Sequence, residues 1–145
     1  MKRTVVLLLS LLLLAACGDD SSGGATTTVP ITYSSGSIHL SGGLEGLDQT
    51  WIIEADGTVL GPDGYLGQLD ADARARLEAA ITGADFFELD DEYLPDDICC
   101  DRFLYEVTIT RGGQTHTVTT LDAADAPESL FVLIQTFLDV ARPES

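Results

Sequence analysis

Three cysteines hold most of the reactive chemistry this sequence offers. Cys17 closes the run Leu14-Ala15-Ala16-Cys17, behind an apolar stretch from Thr4 to Ala16 that Lys2 and Arg3 precede. A positive flank, a short greasy core, small residues and then cysteine form the pattern of a bacterial lipoprotein export signal. Processing needs small residues before the cut, and the thiol after it carries diacylglycerol. The apolar stretch has 13 residues, against the ~20 that span a bilayer as a helix. Cys17 is therefore the expected lipidation site, and residues 1–16 the expected signal peptide.

Cys99 and Cys100 are adjacent. An exported domain lives where disulfides persist, and with Cys17 consumed by lipid these two have only each other. A trans peptide holds neighbouring Cα atoms ~3.8 Å apart, below the usual disulfide separation of about 4.4–6.8 Å, so a bridge would close a tight ring. The expectation is that this ring forms and stiffens the loop before Phe103. Free thiols or an intermolecular bond are the alternatives, and a free vicinal pair would suit oxidant sensing.

Asp85 to Asp101 contains eight acids in 17 residues. Hard carboxylates suit calcium, but the Asp-x-Asp-x-Asp-Gly pattern is missing, so a solvated acidic loop is expected. His39 and His116 fall in predicted strands with no cysteine or histidine at metal spacing, and read as satisfied strand residues. Trp51 reads as core or sheet packing. There is no His-Glu-x-x-His, Gly-x-Ser-x-Gly, phosphate loop or dinucleotide fingerprint. No catalysis, cofactor or metal site is expected.

Charge narrows the partners. Once Lys2 and Arg3 leave, five of the seven basic residues face 24 acidic ones, and formal charge goes from −17 to −19. Such a chain does not bind nucleic acid or anionic headgroups electrostatically. Attachment to the membrane falls to the lipid on Cys17, which places the domain on the extracytoplasmic face of a cell membrane. Residues 17–30 carry the lipidated cysteine and a Gly/Ser/Thr-rich tether, a coil of roughly 20 Å average span. Residues 31–145 suit a single domain.

The elements of that domain follow from periodicity. Ile38 and Leu40 alternate in a first strand ending at Ser41-Gly42-Gly43. Thr50 to Glu54 is strand-like, Ala55-Asp56-Gly57 turns, and Thr58 to Leu60 returns. Gly61 to Gly67 reads as a loop. Asp70 caps a helix over about Ala71 to Thr82, with the stripe Ala73, Leu77, Ala80, Ile81 and Ala84, and Gly83 placed to end it. Phe86, Phe87 and Leu89 pin its exit to the core. Phe103 to Thr110 and Gln114 to Leu121 form a hairpin turning at Arg111-Gly112-Gly113. A second helix follows Pro127, from about Glu128 to Val140, with the stripe Leu130, Leu133, Ile134, Phe137 and Leu138. The order strands, helix, hairpin, helix argues an α+β domain: an antiparallel sheet of four to five strands with two helices on one face.

With these elements in place the chain resembles the emfourin family of small bacterial proteins. The resemblance lies in Ser41-Gly42-Gly43-Leu44-Glu45-Gly46 after the first strand, in Ala84-Asp85-Phe86-Phe87-Glu88-Leu89 after the helix, in Asp101 to Ile109 with His116 to Thr119, and in Pro127 with Leu130. It covers roughly Ser35 to Val140. The family includes the inhibitor of protealysin, a thermolysin-like zinc metallopeptidase. The resemblance thus implies the same fold and a secreted metalloprotease as partner. This chain departs from the inhibitor in its export signal, its tether, the Gly61–Gly67 stretch and the Cys99-Cys100 segment. Loops are the expected contacts: first Leu44, Glu45, Gly46, Leu47, Asp48 and Gln49, second the acidic loop. The leading expectation is a lipid-anchored, non-enzymatic inhibitor; the alternative is an envelope lipoprotein that binds another ligand or supports a surface complex.

Overall fold

The computed structural model describes residues 33–97 and 101–142. Its strands are β1 (Ser35–Gly42), β2 (Leu47–Ile53), β3 (Thr58–Gly61), β4 (Gly64–Gln68), β5 (Glu92–Tyr93), β6 (Phe103–Arg111) and β7 (Gln114–Leu121). The helices are α1 (Ala71–Gly83) and α2 (Glu128–Ala141). Among the described residues the strands form one sheet in the order β4-β3-β2-β1-β6-β7-β5. All pairs are antiparallel except β5 with β7.

The alternation read in the sequence sets the faces. Register aligns Ile38 with Trp51 on one side and Val107 on the other, and Val107 with Val118. All four are buried and share one face. Against it lie Leu77 and Ile81 of α1 and Leu130, Leu133, Ile134 and Phe137 of α2, in one core cluster. Each such fully buried side chain is worth about 1.5–3 kcal/mol in transfer free energy. Gly36 makes room for Ile109 of β6 and Phe137 of α2: a Cβ there would sit 2.6 Å from Ile109 Cδ1 and 3.3 Å from the Phe137 ring. The opposite face is polar, with Thr108 bonded to Thr117 at 2.9 Å and Thr110 to Thr115 at 2.8 Å.

The start of α1 and the buried stripe of α2 are as expected. Asp70 caps α1, its carboxylate accepting from the Ala73 amide at 2.7 Å. The α2 stripe is buried throughout. The turn after β2 closes as read, with Gly57 N–H donating to Glu54 O at 2.8 Å and Thr58 N–H to Asp56 Oδ1 at 2.8 Å. That second bond holds the exposed Asp56 carboxyl below its ordinary pKa. Arg74 of α1 ties this turn down by donating to Ala55 O and Asp56 O at 3.0 and 2.6 Å.

Other expectations are corrected. Among the described residues the sheet has seven strands, not four to five, and is mixed. Gly61–Gly67 is not a loop: β3 runs to Gly61 and β4 starts at Gly64, with only Pro62-Asp63 between them. Helix α1 includes Gly83, and the left-handed residue after it is Asp85, with φ 46°. One more helical residue lets Ala84 pack at 3% exposure and delivers Phe86 at 1%. The acidic stretch is partly structured: Phe86–Glu88 is a 3-10 turn and Glu92–Tyr93 pairs with β7. Phe87 and Leu89 pack against the core as expected. Cys17, the tether, Cys99 and Cys100 lie outside the described residues.

Candidate functional site

Leu44 is 85% exposed, the most exposed large apolar side chain among the described residues. It sits at the tip of the β1–β2 turn, Gly43–Gly46. A bare leucine in water costs solvation free energy that a disordered loop would hide by folding over. Here the root of the turn is held by hydrogen bonds.

The fixing is a matter of two glycines. Gly42 is the last residue of β1 and pairs with Phe103 at the start of β6. A Cβ on Gly42 would lie 2.4 Å from the Arg102 carbonyl oxygen, and φ there is +101°. An L side chain is strained on both counts. Gly43 then donates its N–H to Arg102 O at 3.1 Å, and its own carbonyl accepts from Gly46 N–H at 3.1 Å. A Cβ on Gly43 would meet Phe103 Cε1 at 2.6 Å.

Phe103 is held in turn from its other side. Its carbonyl accepts from the Asp122 amide at 3.0 Å, and its N–H donates to Asp122 Oδ2 at 3.3 Å. The remaining oxygen, Asp122 Oδ1, accepts from the Tyr105 hydroxyl at 2.9 Å. Burial, reinforced by this bond to a carboxylate, pushes the Tyr105 phenol up to about 12. Behind them the Arg142 guanidinium lies 4.4 Å from the centre of the Trp51 ring. The turn therefore stands on a braced sheet end.

Between the turn and β6 is an open cleft of ≈ 540 Å³, lined by Gly42, Gly43, Leu44, Glu45, Leu47, Asp101 and Phe103. It joins the two loops singled out by sequence, since Asp101 ends the acidic stretch and Leu44 leads the β1–β2 turn. The predicted loop is shorter than expected. Leu44, Glu45 and Gly46 are in the turn, but Leu47, Asp48 and Gln49 belong to β2, paired with Gly42, Ser41 and Leu40. Asp48 Oδ1 meets His39 Nε2 at 2.8 Å on the polar face, and Gln49 shares the Leu40 face. By sequence Phe103 belongs to the hairpin and not to the candidate contact loop. No local signal marks it as a cleft residue, because it reaches the turn through the pairing of β1 with β6.

The two histidines are satisfied. His116 Nε2 lies 3.0 Å from Leu89 O, and its ring meets Phe86 edge-on at 5.4 Å between centroids. Among the described residues no three His, Cys, Asp or Glu side chains are grouped to hold a metal ion.

The sequence profile of the Emfourin family matches residues 65–138, from β4 through most of α2. This chain belongs to the Emfourin family. No curated protein matches it. The Emfourin match takes in α1, the acidic stretch, the β6–β7 hairpin and the Phe103 side of the cleft. The β1–β2 turn precedes the matched range, and β1 carries it into the same sheet by pairing with β6 along its whole length.

Proposed function

We propose that this Emfourin-family protein is a lipid-anchored, non-catalytic inhibitor of a thermolysin-like metalloprotease, held on the extracytoplasmic face of the membrane by Cys17. The observation that carries the reading is the braced β1–β2 turn, which presents Leu44 to solvent on a scaffold of this family. Leu44 enters an apolar pocket of the protease, and the turn blocks the peptide-binding cleft behind it.

Resistance to cleavage follows from the geometry. A protease must draw its substrate out into an extended segment. The Gly43 and Gly46 hydrogen bonds and the Gly42–Phe103 pairing oppose that extension. Drawing the turn out costs those bonds, each worth about 0.5–1.5 kcal/mol, and separates β1 from β6. A contact preorganised in this way also avoids the ordering cost of a flexible loop.

Anchoring rests on the Leu14-Ala15-Ala16-Cys17 pattern and is tested separately. Cells fed a labelled fatty acid should incorporate it into this protein, and Cys17→Ser should abolish both the label and membrane retention. Labelling that survives Cys17→Ser would refute the anchor.

A further inference from the structure

We propose that the cleft beside the β1–β2 turn is a socket for an arginine side chain displayed by the partner protein. The inference rests on the reading that this end of the sheet faces a partner, and it names what the partner must bring.

The floor of the cleft is apolar. Phe103 and Leu47 are partly buried and pack onto the core. Gly43 keeps the Phe103 ring uncovered, because any side chain there would start 2.6 Å from Cε1. The rim is anionic, with exposed carboxylates on Glu45 and Asp101. Arg102 is the neighbouring cation in sequence, and it is not among the residues lining the cleft.

This combination selects its occupant. A purely apolar side chain would strip water from two carboxylates and give them nothing in return. An acidic one would be repelled, both locally and by a chain of formal charge −17. A cationic side chain with an apolar stem satisfies floor and rim together. Arginine fits better than lysine, because its planar, weakly hydrated guanidinium stacks on an aromatic ring while its fork reaches carboxylates. The volume of ≈ 540 Å³ falls in the range that accepts a drug-sized molecule, so one long side chain enters with its flanking backbone. Arginine is among the residues enriched at interface hot spots, and Leu44 reaching outward would add a second contact beside it.

The test uses the isotope-labelled full chain in non-ionic detergent, titrated with N-butylguanidinium, the arginine side chain alone, and with N-butylurea, its neutral counterpart. Saturable amide shifts at Gly43, Glu45 and Phe103 are expected. The cation should bind about three- to tenfold more tightly than the urea, as expected for one to two partly exposed ion pairs. The double variant Glu45→Gln, Asp101→Asn should erase that difference while its remaining spectrum stays native, and Leu44→Ala should leave it intact. Equal binding of the two probes, or no saturable shift at these amides, would overturn the socket. The result stands apart from inhibition. A chain that shows the cation preference but inhibits no protease keeps the socket and loses the inhibitor reading. A chain that inhibits but shows no cation preference loses the socket alone.

Discussion

Replacing Gly42 with alanine drives a methyl group into the main chain of the neighbouring strand. The new Cβ would start 2.4 Å from the Arg102 carbonyl oxygen, where ordinary contact begins at 3.4 Å. The obstacle is backbone and cannot rotate aside, so β1 and β6 must part by roughly 1 Å at this end. That movement breaks the Gly43 N–H bond to Arg102 O, now 3.1 Å, a loss of about 1 kcal/mol. Holding an L residue at positive φ costs about 1–2 kcal/mol more. The stiffer unfolded chain returns about 0.4–1 kcal/mol. The net is about 2 kcal/mol, or about 10 °C in Tm for a domain of this size. Gly46→Ala is the control. Gly46 also has positive φ, +61°, but a Cβ there meets nothing within 4 Å, so only the conformational penalty applies, about 0.5–1 kcal/mol. Urea unfolding followed by the single tryptophan, Trp51, which is 5% exposed, measures both. Equal destabilisation by the two substitutions would show that the Arg102 carbonyl does not clamp the turn, and the account of the site would fail with it.

Three further outcomes follow from other contacts. Glu78 joins Ser34 and Arg111, accepting from Arg111 Nη2 at 2.7 Å. With about a quarter to a third of each charged side chain exposed, Glu78→Gln should cost about 1–2 kcal/mol, discounted for solvent. A double-mutant cycle with Arg111→Met that gives zero coupling would refute the pairing. Tyr105 has a folded pKa raised to about 12, so its stabilising contribution is complete below the unfolded value near 10 and is lost as pH rises through the folded one. Stability should fall by about 2 kcal/mol between pH 10 and 12, Tyr105→Phe should flatten that slope, and phenolate absorbance should show one of the four tyrosines titrating late. Leu44→Asp should leave the unfolding free energy within about 0.5 kcal/mol of the native protein, because the side chain is 85% exposed; a large loss of stability would place Leu44 in the fold and not at an interface.

The legible parts of this fold are those whose instructions are local. Asp70 announces α1 through a bond to an amide three residues on, and the α2 stripe repeats at helical spacing over its whole length. Strand β4 is different. Gly64-Tyr65-Leu66-Gly67-Gln68 lies at the sheet edge and is mostly exposed, so no alternation marks it, and its glycines read as loop. Strand β5 is two residues long and exists only because Asp91 O accepts from Thr119 N–H at 2.9 Å and β7 runs alongside. The cleft was half legible. The Gly-Gly turn and the acidic stretch each stood out, but what joins them is the pairing of Gly42 with Phe103, 61 positions later in the chain. Nothing local to either segment encodes that meeting.

The most direct test of the central claim is a titration of the purified full chain, in non-ionic detergent, against a panel of thermolysin-like proteases with a fluorogenic peptide. Stoichiometric loss of activity is predicted, with the Gly43–Gly46 turn intact afterwards by mass spectrometry. Leu44→Ala should weaken the complex about tenfold or more, the transfer free energy of a buried leucine side chain. Full protease activity in the presence of excess chain across the panel, or cleavage within Gly43–Gly46, would contradict the account.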